Sequence, residues 1–165
     1  MHYLYLLSVY CWPGILSAIL AYSAFPPFNQ WGIIFIAFVP FLLGLKRLNS
    51  LTTHLIYFFS FGFTYMGLMH LWLLELKDYA TLLSIISLVI LYTVFLGLYY
   101  AFSGLLYYLT GRCLWLLPFC WILGEWLRTQ TIIGNSTGSI GYSQAYNPPL
   151  LQWASIGGVF GLSLL

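Results

Sequence analysis

The stretch Gly124-Glu125-Trp126-Leu127-Arg128-Thr129-Gln130-Thr131-Ile132-Ile133-Gly134-Asn135-Ser136-Thr137-Gly138-Ser139-Ile140-Gly141-Tyr142-Ser143-Gln144 concentrates polar chemistry in an otherwise apolar chain. It holds a carboxylate, a guanidinium, three amides and six aliphatic hydroxyls, with glycines at 124, 134, 138 and 141. Charges this close to lipid cost a few kcal/mol each unless they pair, face a cavity or reach the interface. Glu125 and Arg128 are three apart, so on a helix they share a face and can pair. Beyond Arg128 the pattern turns from helical to Gly/Ser/Asn loop chemistry. The stretch therefore predicts a transmembrane helix that ends at the surface in a polar, glycine-rich interfacial loop over 129–149.

Composition sets the solvent for the rest. Of 165 residues, 62% are hydrophobic, 21% aromatic and only 5% charged. A soluble domain carries about 25% charged residues, so the sequence predicts an integral membrane protein with no separate water-facing domain. A net charge of +2 gives no footprint for nucleic acid.

Working outward, apolar runs predict an all-α, polytopic transmembrane helical bundle of about six segments, since about 20 residues cross a bilayer. They fall at 3–24, 32–45, 52–74, 80–109 and 114–128, with a sixth from Leu150 that sixteen residues leave incomplete. On span length alone the chain reads as a fragment. Met1-His2 provides no basic leader and Ala21-Tyr22-Ser23 is a poor cleavage site, so the first run reads as a retained helix. Pro13-Gly14 is a potential kink within it, and Phe25-Pro26-Pro27-Phe28-Asn29-Gln30-Trp31 reads as a tight turn at the membrane surface. Lys46, Arg47 and Arg112 follow the second and fourth segments, on one side. The positive-inside rule then places the N-terminus in the cytoplasm and the loops around Glu75–Asp78 and 129–149 outside.

Chemistry-bearing residues are sparse. Cys11, Cys113 and Cys120 form no CxxC motif, and the last two, about 10 Å apart on a helix, read as packing residues. His54 and His70 lie about 24 Å apart on one helix, which excludes a metal pair and leaves satisfied core or interfacial histidines. Asn135-Ser136-Thr137 reads as an Asx-type turn. Gly157 and Gly161 give a small-residue face for helix packing. No nucleophile–base pair is evident, so no catalytic residue, metal ligand or cofactor site is assigned. The candidates for contact with lipid or substrate are Glu125, Trp126, Arg128, Gly134, Gly141, Tyr142, Ser143 and Gln144. The glycines would let backbone N–H groups approach a headgroup phosphate.

Several of these residues also carry a resemblance. Glu125-Trp126-Leu127-Arg128, Gly141-Tyr142-Ser143-Gln144 and the run from Leu150 through Trp153 to Gly158 resemble the membrane region of bacterial apolipoprotein N-acyltransferases. Ala24-Phe25-Pro26-Pro27-Phe28 with Trp31 is similar to that family's first hairpin turn, and Gly62-Phe63 and Trp72 to its third helix. The resemblance implies eight transmembrane helices in the bacterial inner membrane, with a periplasmic nitrilase-like domain before the last. It implies a Glu-Lys-Cys triad in that domain, moving an acyl chain from a phospholipid to the N-terminal amine of a diacylglyceryl-cysteine lipoprotein. None of that triad matches a residue here, so these 165 residues alone are expected to be inactive. The expected partners are phospholipid, a lipoprotein substrate or a separately encoded nitrilase-like domain. Asn135-Ser136-Thr137 departs from the Phe-Pro-Trp that members carry after the loop's first glycine. Readings from other classes are a small non-enzymatic membrane protein that binds lipid or a partner through 125–144, and a degenerate remnant.

Overall fold

A computed structural model describes residues 2–131 and 133–164, with side chains from Tyr10 onward. It is all-α, with no strand among the described residues. Seven α-helices follow in order: α1 (His2–Ser23), α2 (Ile34–Leu45), α3 (Leu51–Met69), α4 (Leu82–Leu109), α5 (Leu117–Thr129), α6 (Pro148–Leu151) and α7 (Ala154–Leu164). Single 3-10 turns lead into α2 and α5, and longer ones span Leu71–Asp78 and Ile140–Tyr146. Among the described residues, two helical stretches are long and apolar enough to cross a bilayer, Leu51–Asp78 and Leu82–Leu109. Trp31–Leu45 and Ala154–Leu164 are apolar but shorter.

Two boundaries differ from expectation. The third run does not stay α-helical to residue 74: α3 stops at Met69, where His70 caps it, and the chain tightens into the 3-10 stretch. The segment 129–149 is not an irregular surface loop. Its second half folds against the end of the bundle as the Ile140–Tyr146 3-10 helix and the start of α6.

The core is aromatic. Phe41 of α2 lies 4.8 Å from Tyr57, 5.0 Å from Phe58, 5.3 Å from Phe61 and 5.8 Å from Trp121, ring centre to ring centre. Several of these contacts are edge-to-face, the arrangement that the ring quadrupoles favour. Pro40 precedes Phe41 inside α2 and disturbs the helix ladder. Neighbouring helices satisfy the backbone there: the Phe41 N–H donates to Ser17 Oγ at 2.7 Å, and the Phe41 carbonyl accepts from Tyr57 Oη at 2.8 Å. Membrane helices tolerate proline through such repairs.

α3 and α4 make the broadest interface, and small residues let them meet. A Cβ built on Gly62 would stand 2.6 Å from the Tyr100 ring, and one on Gly104 2.8 Å from Phe58. Glycine at both places admits an aromatic ring against helix backbone. Of the two histidines, His54 is fully buried and only half satisfied. Its Nδ1 bonds the Ser50 carbonyl at 2.7 Å, while Nε2 has no partner among the described residues. Cys120 is buried as a packing residue should be, but Cys113 is exposed, because it sits in the turn before α5 rather than on a helix face.

Candidate functional site

The C-terminal end of α5 carries the two charges of the decisive stretch, both almost wholly buried: Glu125 is 2% exposed and Arg128 1%. They share a helix face as the spacing requires, but they do not bond each other. Each instead grips the returning chain. Glu125 Oε1 accepts from the Ile140 N–H at 3.0 Å and from Trp121 Nε1 at 3.2 Å. Oε2 accepts from Ser163 Oγ of α7 at 2.9 Å. Arg128 Nη1 donates to the Thr137 carbonyl at 2.9 Å and lies 3.1 Å from Met66 Sδ, and Nη2 donates to Ser139 Oγ at 3.1 Å. The guanidinium carbon also stands 5.9 Å over the Tyr100 ring, a cation–π contact. The expectation of a direct ion pair is therefore corrected. Thr137 and Ser139 serve the guanidinium, while Ile140, Trp121 and Ser163 serve the carboxylate, so each charge is satisfied by polar groups of its own.

A second polar node fastens the same segment to α3 and α4. The Asn135 side chain accepts from the Thr137 N–H at 2.6 Å, an Asx-type turn. Its Nδ2 donates to Tyr92 Oη at 2.6 Å and to His70 Nε2 at 3.1 Å. The His70 Nδ1 bonds the Met66 carbonyl at 2.8 Å, which assigns its proton to Nδ1 and leaves Nε2 to accept. His70 is thus a satisfied core histidine. Tyr65 adds a further link, donating from Oη to the Gly138 carbonyl at 2.9 Å. Sequence reasoning did not connect His70, Tyr92, Tyr65 or Met66 to this segment. They lie some 40 to 75 positions upstream, and their spacing carries no local signal.

The remaining candidates divide by orientation. Ser143 and Gln144 point inward: Gln144 Nε2 donates to the Trp31 carbonyl at 3.3 Å and to Ser143 Oγ at 3.1 Å, and its Oε1 accepts from Asn147 Nδ2 at 2.9 Å. Trp126 and Tyr142 point outward, at 47% and 46% exposure. The two glycines serve close packing within the protein. A Cβ on Gly141 would strike the Val159 carbonyl of α7, and one on Gly134 would stand 2.6 Å from the Thr129 carbonyl. The Gly141 N–H donates to Ser163 Oγ at 2.9 Å rather than to an open face. Among the described residues, no group of three His, Cys, Asp or Glu side chains could hold a metal. What the arrangement does is hold a polar segment rigidly at one end of an apolar bundle, with two aromatic rings facing out.

This set of residues also has relatives. Residues 17–165 match the apolipoprotein N-acyltransferase N-terminal domain. The chain is 31% identical over 152 residues to an apolipoprotein N-acyltransferase of Nitrosomonas europaea, covering 87% of this chain and 30% of that protein. It is 30% identical over 158 residues to the Geobacter metallireducens enzyme of the same name, covering 92% of this chain and 30% of that one. It is also 30% identical over 131 residues to apolipoprotein N-acyltransferase 1 of Treponema denticola, covering 79% of this chain and 23% of that protein. The chain thus spans less than a third of the length of these curated relatives. The match runs through the Glu125–Gln144 knot and all the helices that hold it, and on that extent the chain belongs to the apolipoprotein N-acyltransferase family, within its N-terminal domain.

Proposed function

We propose that this chain is the membrane-embedded part of a phospholipid-dependent N-acyltransferase of lipoprotein maturation, lying in the bacterial inner membrane as a bundle of about six segments with its N-terminus cytoplasmic. The observation that carries the reading is where the apolar surface lies. Leu83, Leu88, Ile90, Leu91 and Leu98 are exposed along α4, a face that lipid covers and water does not, while the buried charges gather at one end. Trp126 and Tyr142 would meet lipid headgroups at that end, as interfacial aromatics do. Glu125, Arg128, Gly134, Gly141, Ser143 and Gln144 serve as the scaffold that holds them. In the family's chemistry the acyl chain comes from a phospholipid and goes to a lipoprotein amine. None of Cys11, Cys113 and Cys120 matches the Glu-Lys-Cys triad that the resemblance implies, and these 165 residues alone carry no transfer. A nitrilase-like domain would supply it.

Single-cysteine labelling tests the placement, in a background lacking the native cysteines. Thr137→Cys, exposed beside the knot, should label from outside intact cells. Asn49→Cys should label only after permeabilisation. The reverse pattern overturns the orientation, and labelling of both from outside overturns the membrane reading. A thioester between phospholipid acyl and any of the three cysteines in the purified chain would overturn the division of labour.

A further inference from the structure

A cavity of about 320 Å³ opens on the side of the bundle between α2, α5 and α7. Ile34, Phe38 and Leu42 of α2 form one wall, and Leu117, Trp121 and Leu162 face them. Ser143 and Gln144 close one end. Nothing among the described residues fills it, and none of the protein's cysteines lines it.

Its size and mostly apolar wall suit hydrocarbon better than water. A cavity of about 150 Å³ lined by Leu, Ile and Phe stays dry and takes benzene, and this one is twice as large with the same kind of wall. Its α2 wall is long enough for an acyl chain. From Ile34 to Leu42 the wall runs about 12 Å along the helix, most of one leaflet of a hydrocarbon core about 30 Å thick. A helix of that length, about 10 Å across, would need roughly 900 Å³.

The polar end is built for an acceptor. Ser143 is 2% exposed. Its hydroxyl accepts from Gln144 Nε2 at 3.1 Å, and its own proton has no acceptor among the described residues. Gln144 is fixed from both sides by the Trp31 carbonyl and Asn147. Trp31 is 40% exposed there, as a ring at the membrane interface would be. That is the depth of the ester groups of a phospholipid.

We propose that this groove retains one acyl chain of a diester phospholipid, the tail lying along α2 and the ester carbonyl accepting the Ser143 proton. None of the protein's cysteines lines its wall, and the groove holds a lipid without transferring it. The proposal rests on the reading that the chain lies in a bilayer.

Native mass spectrometry of the full chain, extracted from membranes in mild detergent, tests it. One phospholipid per chain is expected to survive, and Leu42→Trp, which fills the apolar end, should lower its occupancy at least ten-fold. A phospholipid with a diazirine in its acyl chain should crosslink to α2 between Ile34 and Leu42. Reloading with diester lipid, diether lipid or free fatty acid separates the sources. Ser143→Ala should weaken diester retention about five-fold, the worth of one hydrogen bond, and leave diether retention unchanged. This comparison decides the matter even where Leu42→Trp fails to fold. The proposal is overturned by a lipid-free chain, by retention of detergent only or fatty acid only, by a second copy in place of lipid, or by crosslinks on the outer face of α4 instead of α2. A lipid-free chain that labels as predicted at Asn49→Cys and Thr137→Cys would remove the groove proposal and leave the membrane reading standing.

Discussion

The Phe41 cage and the Glu125–Arg128 knot are buried to the same depth, yet opposite forces hold them. Around Phe41 the contacts are ring against ring, without strict direction, and many small dispersion terms add. Around Arg128 they are a few directional bonds to single atoms at 137 and 139. Trp121 belongs to both. Its ring packs 5.8 Å from Phe41, and its Nε1 donates to Glu125. The difference teaches that equal burial does not mean equal tolerance. The cage can repack around a changed shape, while the knot has no second partner for a lost group.

The largest effect should therefore come from Arg128. Replacing it with glutamine leaves the Glu125 charge buried, with its countercharge gone and Thr137 and Ser139 released. A cost of about 3–5 kcal/mol is expected, measured by unfolding in mixed detergent micelles. Ile34→Val at the edge of the cage should cost only about 0.5–1.5 kcal/mol. A double-mutant cycle of Glu125→Gln with Arg128→Gln sharpens the point. Both side chains hold neighbouring residues of one segment, at 139 and 140, so the double change should cost less than the sum of the singles. Simple additivity would mean that the two charges act separately. An Ile34→Val cost as large as that of Arg128→Gln would collapse the distinction between the regions.

Asn135 should come next. It joins the α3 end, α4 and the segment after α5 through one amide, and Asn135→Ala leaves His70 Nε2, Tyr92 Oη and the Thr137 N–H without it. About 1–3 kcal/mol is expected, the range for stranding a buried polar group. Proteolysis between 130 and 147 should rise with it, because the segment loses its tie to α3 and α4. Asn135→Ala with unchanged protease resistance would mean that Arg128 alone holds the segment.

The two regions also differ in how far the sequence revealed them. Most helix starts and ends were legible to within about three residues, the end of α3 being the exception, because most apolar runs are closed by a breaker or cap. Ser50 caps α3 by bonding Thr53, and Thr81 caps α4 by accepting from Ser84. The cage residues lie on those apolar runs, but nothing in the sequence marked them out from the other apolar positions. The knot was legible only as a place. Glu125, Arg128 and the Asx turn at Asn135 show in the residues, but their partners are set by how the chain returns. Glycines at 134 and 141 read as openings for a ligand, whereas the room they leave for the Thr129 and Val159 carbonyls shows only in the folded chain. Met69 ends α3 without a breaker of its own, so the turn to 3-10 geometry at His70 had no sequence signal.

The smallest effect should carry the opposite sign. Thr93 of α4 is 2% exposed, and its hydroxyl has no hydrogen-bond partner among the described residues. Its methyl packs toward Gly67 of α3, where a Cβ would meet it at 3.5 Å. Valine keeps that methyl and the β-branched shape and removes the stranded hydroxyl. Removing a polar group that has found no partner relieves its desolvation cost, so Thr93→Val should be neutral or stabilising, by up to about 1 kcal/mol. The same logic makes Ser139→Ala costly, since that hydroxyl accepts from Arg128. Micelle unfolding of the two variants side by side compares a polar group without a partner against one within the knot. If Thr93→Val destabilises as much as Ser139→Ala, the Thr93 hydroxyl has a partner after all, and the contrast between apolar tolerance and polar intolerance does not extend to α4.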